Sequence, residues 1–248
     1  MKTVVGINTL ESVNSYVYSN HIELFCKMKE EYPQDTFTLV TPHRLPIDKM
    51  RNLCAKLALE QNYDYLMFID DDVLVMPNTY KSLRDADKDI VMALTFVRGW
   101  PYPPMFFKSE GIVTDRDGYR RENLSHYIEW ADHVNEEGLV ECAALGFSCV
   151  LIKVDVLRAV SPPYFITSES QTEDVYFCCK ARLTLDPAPT IFVDTKVPTE
   201  HMLSPDTVTL KNVEELRELH TPADEKKKIG SSRYKRITDT VRELSLVK

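Results

Sequence analysis

Tyr65-Leu66-Met67-Phe68-Ile69-Asp70-Asp71-Asp72-Val73-Leu74-Val75-Met76-Pro77 is an apolar run that drives into three consecutive carboxylates and resumes behind them. Five large apolar residues in a row predict a strand buried on both faces. The three aspartates at its end repel one another, and desolvating an unpaired carboxylate is costly. A cation therefore belongs beside them. Hard carboxylate oxygens suit Mg, Mn or Ca. One aspartate at a strand exit is ordinary turn chemistry; three between two apolar runs are not.

Upstream, Thr3–Ile7 reads as a buried strand ending at Asn8-Thr9. Residues 14–31 read as a helix with Val17, Leu24, Phe25 and Met28 on one stripe, and Thr36–Val40 as a second strand. Pro46 suits a first helical position. Behind it Ile47, Met50, Leu53, Cys54, Leu57 and Ala58 recur at helical spacing. Downstream, Pro77 opens a short helix through about Arg84, and Asp89–Phe96 is a fourth strand. This alternation predicts an α/β fold, a mostly parallel sheet flanked by helices. Ligands of such sheets gather at the carboxyl ends of the strands, an edge that Asn8, Thr9 and Asp70–Asp72 would share.

From about Arg98 the texture changes. Trp100-Pro101-Tyr102-Pro103-Pro104 excludes regular structure, and residues 105–135 read as turns and short antiparallel strands. Leu139–Ala144 and Ser148–Lys153 are expected strands around Gly146. Residues 154–160 form a short helix, Thr172–Leu183 a longer one, and Thr190–Asp194 the last strand. Beyond about 205 the pattern is helical and charged.

Composition is that of an ordinary globular protein: 248 residues, 44% hydrophobic and 27% charged. The net charge of −8 argues against a general nucleic-acid binder. Residues 222–248 carry eight Lys/Arg against four acids, +4 net, so the remainder carries −12. That tail suits either an anionic partner or a solvated helix face. The six cysteines form no C-x-x-C pair, and most of them lie within apolar stretches and read as small buried residues. The opening Met-Lys-Thr-Val-Val-Gly has too short an apolar run for a signal peptide, and no stretch has the length of a membrane helix. A reducing cytoplasm is the expected compartment.

The chain has neither a P-loop nor a G-x-G-x-x-G turn, and only seven glycines with which to cradle phosphate. A diphosphate at this edge would depend on the metal, with Arg51 as a possible helper from its helix.

In this order the motifs resemble GT-A fold glycosyltransferases, family 2-like and phage- or virus-encoded members especially. Phe68-Ile69-Asp70-Asp71-Asp72-Val73 resembles their D-x-D strand end. Ile47–Asn52 resembles the basic segment before it, Leu145–Lys153 the small-residue strand near the donor sugar, and Thr172–Cys178 the acidic E-D motif. Ile191–Asp194 followed by His201 resembles the strand that delivers a further metal ligand. Two features depart from the pattern: Gly6-Ile7-Asn8-Thr9 lacks the usual proline-containing turn, and Cys149 stands near the donor sugar.

The resemblance implies a hexosyl- or pentosyltransferase using a divalent metal (Mn or Mg) and a nucleotide sugar, UDP-linked by preference. Asp70, Asp72 and His201 would hold the metal. Asn8, Thr9, Arg51, Asp70, Asp71 and Gly146 would line the donor. Asp174 would take the proton of the acceptor hydroxyl, with Glu173 holding acceptor or sugar hydroxyls, in a single displacement with inversion. The expected layout is a catalytic body over 1–204, with a nucleotide-binding half at about 1–98 and an acceptor half at about 99–204. A helical, basic extension follows over 205–248. The acceptor stays open between a glycan and a hydroxymethylated pyrimidine of phage-type DNA. For the latter, Lys226–Lys228 and Arg233–Arg236 would contact phosphate, and Trp100 or Tyr102 would fill the gap of a flipped base. The alternatives are a nucleotidyltransferase, which usually has a glycine-rich loop near the amino terminus, and a non-catalytic nucleotide-sugar-binding module.

Overall fold

Leu66, Met67, Phe68 and Ile69 are wholly enclosed, so the run ahead of the aspartates lies at the centre of the molecule. The computed structural model describes residues 1–114, 120–202, 207–208 and 212–220. The first part comprises β1 (Lys2–Asn8), α1 (Ser15–Glu31), β2 (Thr36–Val40), α2 (Ile47–Glu60), β3 (Tyr65–Asp70), β4 (Val73–Leu74), α3 (Thr79–Asp85) and β5 (Ile90–Leu94). A long hairpin, β6 (Phe106–Thr114) and β7 (Arg120–His126), follows. Then come β8 (Leu139–Glu141), β9 (Ala144–Leu145), β10 (Cys149–Lys153), α4 (Val154–Ala159) and α5 (Glu173–Thr184). The last described elements are β11 (Ile191–Pro198), β12 (Glu200–Met202), β13 (Thr207–Val208) and α6 (Val213–His220).

Seven strands form the central sheet in the order β2-β1-β3-β10-β5-β11-β8. β10 and β8 run antiparallel to the other five. The expected mixed α/β architecture, mostly parallel, is the one found. β10 from the later sequence lies between β3 and β5, so residues 1–98 and 99–204 share one sheet.

Each face of the sheet has its own core. One gathers Val4, Leu66, Phe68, Met92 and Val150 under α2; the other gathers Val5, Met67, Ile69 and Val91 with Leu24 and Met28 of α1. On α2 the buried residues include Met50, Arg51, Cys54, Ala55 and Ala58, while Leu53 is half exposed. The stripe is therefore narrower than its apolar spacing suggests. Small residues bring α2 close to β1, where a Cβ on Gly6 would fall 2.9 Å from Cys54 Sγ.

β11 runs on to Pro198 through a register shift after Asp194, and it is not the last strand. β12 returns to pair with β4 and β13. Beyond about 205, where the sequence pattern predicts helix, Thr207–Val208 is instead a strand held by β12, and α6 follows it; residues 221–248, with both basic clusters, lie outside the described residues. Among the described residues no helix is long and apolar enough to cross a membrane.

Candidate active site

Three strand ends meet at the carboxyl edge. Asn8 of β1 stands in register with Asp70 of β3. On the other side, the Asp70 N–H donates to Ser148 O at 2.8 Å. Side chains paired across neighbouring strands share a face, which places Asn8, Asp70 and Ser148 together on the α2 side. Asn8 and Ser148 are buried, and among the described residues neither the Asn8 amide nor the Ser148 hydroxyl has a hydrogen-bond partner. Buried polar groups are normally satisfied, so these orphans mark a place where protein bonding is incomplete.

Asp72 is positioned by the small sheet above this edge. β4 pairs with β12 so that Val73 faces His201, and the Met202 N–H donates to Asp72 O at 2.9 Å. His201 Nε2 lies 3.4 Å from Asp72 Oδ1. Its Nδ1 lies 2.7 Å from Phe96 O; a carbonyl only accepts, so Nδ1 carries the proton. Nε2 and the carboxylate are then two acceptors face to face unless a proton or a metal ion lies between them. Fixing one ring nitrogen on a carbonyl is also how metal-binding imidazoles are usually oriented. Arg98 Nη1 reaches the other Asp72 oxygen at 2.6 Å. Burial pushes Asp72 up, but the hydrogen bond and charge of His201 and the charge of Arg98 outweigh it and hold the carboxyl below its usual range.

Arg51 organises the floor. Its guanidinium lies against the rings of Phe68 (5.1 Å) and Phe147 (5.3 Å). It reaches Asp70 Oδ1 at 3.4 Å and Glu173 Oε1 at 3.0 Å, and donates to Phe147 O at 3.3 Å. Only 3% of its side chain is exposed. A quarter of the Asp70 side chain still reaches solvent. Burial nonetheless pushes Asp70 up to about 7, against the pull of Arg51 and with Asp72 adding to the rise. Burial likewise raises Glu173 against the pull of Arg51. Asp71 is raised by burial too.

Asp174 opens α5. Its Oδ2 accepts the Phe147 N–H at 3.1 Å and its Oδ1 the Val175 N–H at 2.7 Å. Through Phe147 the E-D motif is tied to the same turn that supplies Ser148. Gly146 sits one residue further back and donates its N–H to Met105 O at 2.7 Å.

The residues fit a divalent ion by their chemistry. Asp72 and His201 offer a carboxylate and an imidazole, Arg98 stands in for a cation on Asp72, and Asp70 is unfavourably ionised beside them. Among the described residues no three His, Cys, Asp or Glu side chains form a metal cage by themselves. A two-residue grip suits ions that take their remaining ligands from phosphate and water.

The fold thus gathers Asn8, Thr9, Asp70, Asp71, Asp72 and His201 at one edge and ties Arg51, Glu173 and Asp174 to it from below. Tyr102, considered above for a flipped base, is buried. Sequence reasoning passed over Arg98 and Ser148. The signal for Arg98 was available: it is the first basic residue after a strand that ends at this edge. Ser148 carried none, since its place depends on where β10 enters the sheet.

No protein-family model matches the sequence, and no curated protein matches it. Among solved structures the chain is similar to A197 from STIV, at 17% identity and a TM-score of 0.50, over 82% of this chain and 86% of that one. It is also similar to GalNAc-T7 with UDP, GalNAc and Mn2+, at 13% identity and a TM-score of 0.44 over 88% of this chain, spanning 47% of that chain's length. A third is UDP-glucose pyrophosphorylase from Acinetobacter baumanii, at 10% identity and a TM-score of 0.42, over 80% and 87% of the two chains. At 17% identity the likeness to A197 is one of fold alone, the mixed α/β fold described above.

Proposed function

We propose that the protein is a metal-dependent glycosyltransferase, moving a sugar from a nucleotide diphosphate, UDP by preference, to an acceptor hydroxyl. The observation that carries this reading is the unfinished edge. Asp72 and His201 face each other 3.4 Å apart, next to Asp70, which burial raises to about 7, and the Asn8 amide, which has no hydrogen-bond partner among the described residues. In this reading Asp72 and His201 hold the ion, with Asp70 beside them. Asn8, Thr9, Asp71 and Gly146 border the nucleotide and sugar. A bound divalent ion would neutralise the departing diphosphate. Arg51 holds Asp70 and Glu173 in place rather than reaching out to phosphate. Asp174 takes the acceptor proton, and transfer proceeds in one step with inversion. The catalytic body extends over 1–204 and takes β13 with it.

Calorimetry with UDP, with and without Mn, tests the donor site; UDP release from a panel of UDP-sugars tests the chemistry. Saturable UDP binding that requires Mn, with slow hydrolysis of one UDP-sugar, is expected. Absence of nucleotide binding in Mn overturns the reading. Binding with release of pyrophosphate from a sugar 1-phosphate and UTP assigns a nucleotidyltransferase instead.

A further inference from the structure

The segment that leaves β5 carries Arg98 to Asp72 and walls a second recess. A cavity of about 620 Å³ lies between Val97–Pro103 and the hairpin, and Arg217 of α6 reaches it. That volume is within the range of small-ligand sites. Val97, Pro103, Ile128 and the half-buried indole of Trp100 supply an apolar wall.

The polar groups are few. Ser125 Oγ donates to Glu110 Oε1 at 2.7 Å. His126 Nδ1 donates to Pro104 O at 2.9 Å, and its ring leans on Phe107 at 4.6 Å. The second nitrogen of the neutral ring is then an acceptor. Arg217 donates to Pro101 O at 2.7 Å and Tyr102 O at 2.6 Å and also pairs with Glu214, so it acts as a strut between α6 and the loop. Lys108 is paired with both Glu110 and Glu129.

An aromatic wall opposite a carboxylate, a hydroxyl and an imidazole suits a ligand with an apolar C–H face and a rim of hydroxyls. Those hydroxyls can donate to Glu110 and His126, and Trp100 can lie under a ring. A phosphate would meet the Glu110 carboxylate and guanidinium and ammonium groups already engaged. We infer that this cavity is the acceptor site and takes a neutral carbohydrate rather than a nucleic acid, an inference that rests on the glycosyltransferase reading above.

The chain has two tryptophans, and Trp130 is buried in the core, so Trp100 dominates any ligand-induced change in emission. The full-length protein is titrated with neutral gluco-, manno- and chito-oligosaccharides into the millimolar range. An oligodeoxynucleotide bearing 5-hydroxymethylcytosine is titrated in parallel, and both series are run with and without UDP and Mn. At least one oligosaccharide is expected to shift the emission saturably. Trp100→Phe should remove the signal, while Ser125→Ala and Glu110→Gln each weaken saccharide binding about tenfold by calorimetry. Oligonucleotide binding that depends on Trp100, or no saturable response to any oligosaccharide while UDP·Mn binds, overturns the acceptor inference alone. A saccharide response without UDP·Mn binding overturns the donor reading and sustains the cavity as a carbohydrate site.

Discussion

The sheet carries an arginine-on-aromatic cluster at each end, and the two are finished differently. At the amino ends of the strands, Arg84 lies over Tyr32 at 4.0 Å and pairs with Asp35 at 2.6 Å. The chain's own ammonium meets the second Asp35 oxygen at 2.8 Å. Burial opposes ionisation there, but those two partners win and hold Asp35 below the usual carboxylate range. At the carboxyl ends, Arg51 divides itself between Asp70 and Glu173 at longer reach, and both carboxyls are raised. Similar parts make a closed cluster at one end and an open one at the other. Incomplete satisfaction, rather than the presence of charge, marks the candidate site.

The largest effect expected is on stability. Arg51→Met leaves the buried Glu173 and the partly buried Asp70 without their cation and should cost about 3–5 kcal/mol in a urea titration. Arg84→Met should cost about 1–2 kcal/mol, because Asp35 keeps the Met1 nitrogen as a donor at 2.8 Å. Equal losses would erase the contrast. Next, Asp72→Ala should weaken UDP binding in Mn about 100-fold by calorimetry, whereas Asp35→Ala should leave that affinity unchanged.

A smaller pair of effects has opposite signs. Asp70 has a folded pKa above its unfolded value of 3.8, so its penalty grows as pH rises toward about 7. Asp70→Asn should then stabilise the ligand-free protein by about 1–2 kcal/mol at pH ~8 and much less at pH ~4. Asp35 has a lowered pKa, and its contribution is present above 3.8 and lost as pH falls through the folded value. Asp35→Asn should be destabilising at pH ~8 by about 1–2 kcal/mol. Denaturant midpoints of both variants at the two pH values check the signs.

The smallest effect concerns the clamp behind the aspartates. Asn20 exchanges two hydrogen bonds with the Val75 backbone, both at 2.8 Å, and His21 Nε2 donates to Val73 O at 2.9 Å. Burial lowers the His21 pKa below 6.5, so its contribution is present above 6.5 and fades as pH falls through the folded value. Wild type should lose up to about 1 kcal/mol more than His21→Gln on acidification below pH 6.5. Parallel thermal melts would show the difference.

Much of this was legible in the chain itself. Apolar runs located β1, β3, β5 and β10, because a strand covered on both faces is largely apolar; β2, half exposed at the sheet edge, was located by its alternation with the helices. The same property hid the place of β10. Cys149–Lys153 reads like any buried strand, and nothing local in it says that it will insert antiparallel between β3 and β5. Leu53 misled because spacing reports a face, whereas packing depends on how closely the small residues Cys54, Ala55 and Ala58 approach β1. Asp70 and Asp72 stood out as unpaired charge. The depth of Arg51 did not, since its aromatic supports, Phe68 and Phe147, lie far apart in sequence.

The central position of β10 also bears on biosynthesis. β3 and β5 have left the ribosome's decoding site by residue 94, and the strand that joins them begins at residue 149. At about 5–20 residues per second, the nascent chain carries two bare, apolar strand edges for several seconds. Chaperone capture would act in that interval, and a transcript broken before codon 149 would yield a polypeptide with neither a joined sheet nor a complete carboxylate edge.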